Sequence, residues 1–219
     1  MKIFVVHYKK LIERKKNVIE QFKKYNITEY EFIEIDRDEL DGYDLSLFEN
    51  ISNAYMAIGL SHMYAYKQIK NNYDQAIIFE DDVILSDNFL TIFNNYMSQL
   101  PKDYDMFFFG AGCNLHIQAK DLIPNKNIYE KDVYSTDWGG DGCTRCLDSY
   151  VVSKKGAIKL CDYIDNIKYK INLTTDWWLN IAARDIAAKD NNFKVYWAEP
   201  TIAYQGSENG IFEISYVKG

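Results

Sequence analysis

The chain has 219 residues, a formal net charge of −7 and an isoelectric point near 5.0. That charge speaks against generic binding to a nucleic-acid backbone, which needs a basic stripe. Hydrophobic residues make up 47% and aromatics 16%, enough for a substantial core, and the length suits one domain. No apolar stretch approaches the roughly 18 residues of a membrane span. The apolar run Met1–Val6 ends at His7, too early for a secretory leader. Cys113, Cys143, Cys146 and Cys161 are few for a disulfide scaffold, so a reducing, cytoplasmic setting is expected. Abundant Lys, Asn, Ile and Tyr fit an AT-rich coding genome, bacterial or that of a large DNA virus; in the second case the compartment is the host cytoplasm.

In chain order, residues 2–6 read as a strand and residues 10–25 as a helix. Leu11, Ile12, Val18, Ile19 and Phe22 fall at helical spacing. A second short strand at 30–35 completes a β-α-β opening, and such units close right-handed with parallel strands. At the end of the first strand of a nucleotide-binding sheet, His7 and Tyr8 would face a base or ribose. Arg14 either reaches a phosphate from the helix or lies on a solvated face beside Glu13 and Lys15. Asp36 either holds a ribose hydroxyl or is a turn residue beside Arg37 and Asp38.

Residues 46–57 suggest a short helical turn. Gly59-Leu60-Ser61-His62 then opens a helix to about residue 70, with Ser61 as its cap and His62 in the first turn, where backbone N–H groups favour anions. The apolar run 76–79 reads as a strand buried on both faces and enters Glu80-Asp81-Asp82. Three adjacent carboxylates repel one another unless a cation sits among them, and hard oxygen ligands suit Mg²⁺ or Mn²⁺. The alternative is a solvated acidic turn.

Ser86-Asp87-Asn88 caps a helix at 89–100, and residues 105–110 form another buried strand. Residues 113–148 are the least regular part, and 137–146 read as a surface loop that folds over a substrate. Cys143-x-x-Cys146 has zinc-ligand spacing, but no second pair follows, so buried or idle cysteines are the default. A strand at 149–152 leads into a helix at 154–164, with Ala157, Ile158, Leu160 and Cys161 inward. Thr174 or Thr175 caps a helix to about residue 188. Asp176 falls in its first turn beside Trp177 and Trp178, either favouring the helix dipole or pointing into a crevice as a base. Residues 194–197 form a late strand.

Several separated pieces, in this order, resemble one family. They are Gly59-x-Ser61-His62, the strand entering Glu80-Asp81-Asp82, Tyr150-Val151-Val152-Ser153 followed by Gly156-Ala157, Asp176, and Pro200 through Gln205-Gly206-Ser207. The set resembles the family-25 glycosyltransferases, which include lipooligosaccharide and collagen-hydroxylysine galactosyltransferases. The resemblance implies a GT-A-like single domain: α/β, with a Rossmann-like nucleotide-binding half at 1–112, a mostly parallel central sheet, and a mainly acceptor-binding half at 113–219. It implies a UDP-sugar donor, Mn²⁺ or Mg²⁺, and transfer of a hexose with inversion to a hydroxyl of a glycan or a hydroxylated protein side chain.

On that match Asp82 ligates the metal, Glu80 or Asp81 touches the ribose or the metal shell, and Gln205 is a late metal or diphosphate contact. His7, Arg14, Asp36, Ser61 and His62 are expected around the donor, and Trp177, Trp178 and Asp141 around the acceptor. Asp176 is the expected base, with His62 and Asp141 as lesser candidates. Members commonly open with Asn-Leu and a basic segment; here His7-Tyr8-Lys9-Lys10 stands instead, with Arg14 retained. The competing readings are a non-catalytic nucleotide-sugar or glycan-binding module, and a nucleotidyltransferase. The latter ordinarily wants a glycine-rich phosphate loop that this opening lacks.

Overall fold

A computed structural model describes residues 1–138, 141–190 and 192–214. Gly139 and Gly140 of the expected covering loop lie outside the described residues. The strands are β1 (Lys2–Val6), β2 (Tyr30–Ile33), β3 (Gln75–Glu80), β4 (Val83–Leu85), β5 (Met106–Phe108), β6 (Ile128–Lys131), β7 (Ser149–Ser153), β8 (Val195–Ala198) and β9 (Ala203–Gln205). The helices are α1 (Ile12–Lys24), α2 (Asn53–Asn72), α3 (Phe89–Gln99), α4 (Lys154–Asn166) and α5 (Thr175–Asp190).

Seven strands form one sheet in the order β2-β1-β3-β7-β5-β8-β6, and β4 and β9 form a separate pair. The sheet is mixed, with most strands running one way; β7 and β6 run against the others. Alternation along the strands supplies two cores. Phe4, Val6, Ala76 and Ile78 pack with α2, α4 and α5 residues such as Ala65, Ile69, Leu160 and Leu179. Ile3, Val5, Ile77 and Phe79 point the other way, onto Val18 and Phe22 of α1 and Phe89 and Phe93 of α3. The result is an α/β/α sandwich, in which β1 and β3 are apolar on both faces because both faces are covered.

Three local expectations are corrected. α2 begins at Asn53, not near Gly59, and its cap is Ser52, whose side chain accepts from Tyr55 N–H at 3.5 Å. Ser61 therefore lies inside the helix, where its hydroxyl donates to the Ala57 carbonyl at 2.8 Å. His62 is mid-helix, well past the first turn whose N–H groups are free. The apolar period of α1 is also shifted: Ile12 and Ile19 are exposed, and the buried face is Arg14, Val18 and Phe22. In α4, Ile158 is exposed, while Ala157, Leu160 and Cys161 face the core. The irregular stretch contains β6, and part of it is drawn inward. Trp138 packs edge-on against Tyr129 at 5.9 Å and near Trp197 at 6.3 Å. Lys131 is buried beneath it, donating to the Ser135 and Asp137 carbonyls.

Strand register positions the functional end of the molecule. β1 and β3 are parallel neighbours with Val6 opposite Glu80, so the next residues, His7 and Asp81, emerge side by side. β2 joins them with Ile33 opposite Val6. Three parallel strands thus discharge at one edge, where open α/β sheets bind ligands. β9 pairs antiparallel with β4, Val83 opposite Gln205. This carries Gln205-Gly206-Ser207 from far along the chain to the acidic turn, and Gly206 N–H donates to the Asp82 carbonyl at 2.7 Å.

Candidate active site

A cleft of about 330 Å³ opens at this edge. Its walls include His7, Tyr8 and Arg14 from the β1–α1 region, Glu80, Asp81 and Asp82, then Thr174–Trp177 at the start of α5, and Gln205, Ser207 and Glu208. No helix among the described residues is long and apolar enough to cross a membrane.

The three adjacent acids have three different surroundings. Asp81 is buried and saturated: Arg14 Nη1 donates to Oδ1 at 2.9 Å, His7 Nδ1 bonds Oδ2 at 2.8 Å, and Tyr8 N–H approaches Oδ2 at 3.3 Å. Asp81 lines the cleft beside its neighbours, but with both oxygens already engaged. Its oxygens are spent on the protein, and it anchors β1 and α1 to the end of β3.

Asp82 is the opposite case. Its Oδ2 accepts the Ser207 hydroxyl and, at 3.3 Å, the Ser207 N–H, but its buried Oδ1 has no hydrogen-bond partner among the described residues. Burial, followed by the repulsion of Glu80, pushes its carboxyl up to about 6, while the Ser207 hydrogen bond and Arg14 pull the other way. A buried carboxylate with one free oxygen, in a cleft, is the group a cation would relieve.

Glu80 is half-buried and meets His62 Nε2 at 3.6 Å. His62 is wholly enclosed, with Nδ1 on the Tyr150 hydroxyl at 2.7 Å, and Tyr150 in turn bonds Tyr66 at 3.0 Å. His62 is not part of the cleft wall; it backs Glu80 from inside the core, a correction to the expected donor contact. Glu80 N–H donates to the Asp148 carbonyl at 2.9 Å, which ties the acidic turn to the segment entering β7.

The fit to a divalent cation rests on this donor chemistry. Mg²⁺ and Mn²⁺ commonly take one or two protein carboxylates and complete their shell with substrate phosphate oxygens and water. Asp82 Oδ1 and Glu80 supply that minimum. Among the described residues no cluster of three or more His, Cys, Asp or Glu side chains is gathered for a metal, so the donor and water would furnish the remainder. Gln205 lines the cleft, but its side-chain oxygen accepts Cys113 N–H at 2.9 Å.

The remaining expected residues divide. Arg14 lines the cleft, with Nη1 on Asp81 and Nη2 on the Glu213 carbonyl at 2.5 Å. His7 does too, and its buried Nε2 makes no hydrogen bond among the described residues. Asp36 is buried and spends Oδ1 on Asp38 N–H at 2.9 Å, the turn alternative, while its neighbours Ile35 and Arg37 reach the cleft. Ser61 borders the cleft. Asp176 lines it from the first turn of α5, with Oδ1 accepting the Thr174 hydroxyl at 2.5 Å. Trp177 beside it is 52% exposed and lines the cleft, whereas Trp178 is 1% exposed in the core. Adjacent helix residues point about 100° apart, and here Trp178 turns into the core while Trp177 is left on the cleft wall. Asp141 is away from the cleft, ion-paired to Arg184.

Sequence reasoning missed Ser207 as the partner of Asp82, although Gln205-Gly206-Ser207 was legible as a motif. It also missed Asp148, a fully buried carboxyl beside the acidic turn. Ser149 donates to its Oδ2 at 2.6 Å, and Oδ1 has no hydrogen-bond partner among the described residues. Burial, with Glu80 and Asp82 adding to it, raises its pKa well above the carboxylate range. The polar pair Asp148-Ser149 at the head of an apolar strand was its only signal. The zinc-like spacing of Cys143 and Cys146 is not used as a pair: Cys143 is buried in the core, the default expected for it, while Cys146 faces Cys113.

Residues 1–176 match the profile of glycosyltransferase family 25, described as an LPS biosynthesis protein family. The chain belongs to glycosyltransferase family 25. The matched span runs from β1 to Asp176, so the Gln205–Ser207 contacts of this family-25 glycosyltransferase lie beyond it. No curated protein matches the chain.

Among solved structures it is similar to a mutant of Drosophila β1,4-galactosyltransferase 7 in complex with manganese, UDP-Gal and xylobiose. That match has 12% identity and a TM-score of 0.45, covering 92% of this chain and 66% of that one. It is also similar to the galactosyltransferase LgtC with donor and acceptor sugar analogues, at 11% identity and TM-score 0.43, covering 94% and 86%. A third likeness is to the inositol-1-phosphate CTP transferase from T. maritima, at 12% identity and TM-score 0.39, covering 93% and 68%. The family-25 chain spans just under two thirds of the Drosophila chain's length.

Proposed function

We propose that this family-25 glycosyltransferase moves a hexose from a UDP-sugar to an acceptor hydroxyl, on a glycan or a hydroxylated protein side chain, with inversion. The observation that carries the reading is that Glu80, Asp82 with its free Oδ1, and Asp176 line one cleft.

Asp82 and Glu80 would hold a divalent cation, Mn²⁺ or Mg²⁺, which when bound neutralises charge developing on the departing diphosphate. Ser207 fixes Asp82 in place through Oδ2, leaving Oδ1 for this purpose. His7 and Tyr8 stand at the end of β1 on the same wall, suited to the base or ribose. Asp176 takes the proton of the attacking hydroxyl; inversion requires that base on the face of the sugar opposite the leaving group. Thr174 orients one of its oxygens and leaves the other for the acceptor. The exposed Trp177 ring offers an apolar face on which a sugar ring packs.

The test is UDP release from a panel of UDP-sugars with Mn²⁺, using Asp82→Ala as control. Acceptor-stimulated UDP release that Asp82→Ala abolishes is the expected result. UMP or free pyrophosphate in place of UDP would make the protein a nucleotidyltransferase. Saturable UDP binding without turnover of any donor would make it a binding module.

A further inference from the structure

Two of the four cysteines meet at the rim of the cleft. Cys113 lies in a 3₁₀ turn at Gly112–Asn114, after β5, and Cys146 lies in the segment leading into β7. Their sulfurs are 2.6 Å apart although the residues are separated by 33 positions. A disulfide has S–S of about 2.05 Å, so little movement separates the pair from a bond. Both residues hold left-handed backbone conformations, φ 51° and 49°. Both line the cleft, and Cys113 is exposed, open to a reagent entering from solvent. Cys143 and Cys161 are buried and take no part.

We propose that Cys113 and Cys146 are a reversible dithiol–disulfide pair, oxidised by a small-molecule disulfide, which cross-links two segments of the cleft wall. Cys113 is the attacking thiol. It is the exposed member, open to the oxidant from solvent. Its thiolate attacks one sulfur of the oxidant, breaking that S–S bond and releasing one small thiol. The Cys146 thiolate then attacks the Cys113 sulfur of the mixed disulfide and expels the second. Two protein S–H bonds are lost and one S–S bond forms; the two electrons and two protons leave on the two small thiols. The consequence reaches the cleft directly, because the Cys113 amide holds the side chain of Gln205. Oxidation fixes that wall, and a strong reductant frees it.

The experiment incubates the reduced 219-residue chain with oxidised glutathione, then denatures it, alkylates it and measures intact mass. Two of the four thiols should become unavailable, with a single cross-linked peptide joining Cys113 and Cys146. The oxidised form should melt about 5–10 °C higher, since the bond closes a long loop of the unfolded chain. Cys113→Ser, at an exposed position, should abolish both the cross-link and the shift; Cys146→Ser should trap the glutathione adduct on Cys113. Four titratable thiols after oxidation, a stable glutathione adduct in the unaltered chain, or a cross-link involving Cys143 or Cys161 would each overturn the proposal.

Discussion

Arg14 donates Nη1 to Asp81 Oδ1 across 2.9 Å, and this bond joins α1 to the carboxyl end of β3. Both side chains are nearly closed to solvent, and His7 completes the set from β1. The middle acid of the triplet is thereby committed to the fold. Its neighbours are left to the cleft.

Removing one partner of a buried ion pair leaves the other charge uncompensated, at a cost of about 3–5 kcal/mol. Asp81→Ala should therefore lower unfolding stability by that order, read from the denaturant midpoint. Glu80→Gln, half-buried and without a direct hydrogen bond to the triplet's partners, should shift the midpoint by less than about 1 kcal/mol. Equal effects of the two substitutions would contradict the division of labour.

Asp82 predicts a ligand response. Anything that binds the folded state alone stabilises it, by about 2.7 kcal/mol at a hundredfold excess over Kd. Thermal melts with increasing Mn²⁺ should rise by several degrees for the unaltered chain. They should stay flat for Asp82→Asn, which loses the anionic oxygen but keeps the shape. A rise of the same size in the variant would move the cation elsewhere.

The same carboxyl predicts a pH dependence in the presence of chelator. Its folded pKa is pushed up to about 6, against about 3.9 in an unfolded chain. Below pH of about 4 it is neutral in both states and contributes no difference. Between about 4 and 6 the unfolded chain ionises first, so stability falls as pH rises, by an amount on the order of 2–3 kcal/mol. Above about 6 the contribution is constant. Urea midpoints of Asp82→Asn and the unaltered chain should thus coincide near pH 4 and separate toward neutrality, with the variant the more stable. Midpoints that separate in the other direction would show that Asp82 is stabilised as an anion by the protein itself.

Short apolar runs located β1 and β3 and helical spacing located α4, because burial of such patterns decides their form, while cap and stop signals located α3. Local pattern failed at the start of α2, where residues 46–57 read as a separate short helical turn and Gly59 as the opening of a second helix, whereas one continuous helix runs from Asn53 through Gly59. The acidic triplet was legible as a site, but not which acid does what: that depends on His7 and Arg14 arriving from 67 to 74 residues away. Ser207 and Cys113 were illegible for the same reason. Their partners are set by the β4–β9 pairing and the turn after β5, and nothing local announces either contact. Trp177 and Trp178 are indistinguishable in sequence; only the rotation of α5 separates a cleft residue from a core one.

Asp176 carries the last prediction. It stands in the first turn of α5 with Trp177 exposed beside it, on the cleft wall formed by residues 174–177. A general base contributes about 10²–10⁴-fold to turnover, and only to the step in which the acceptor loses its proton. Asp176→Asn keeps the Thr174 contact and the helix start, so folding and donor binding should survive. The expected outcome is a loss of kcat within that range, with the KM for the UDP-sugar unchanged. Trp177→Ala should do the reverse, raising the KM for the acceptor while kcat persists at saturation. The two parameters separate the roles, because a group acting only in the transition state lowers kcat and kcat/KM together. If Asp176→Asn instead raised the acceptor KM and left kcat intact, the carboxylate would be an acceptor ligand and the base would have to be sought elsewhere on the cleft wall.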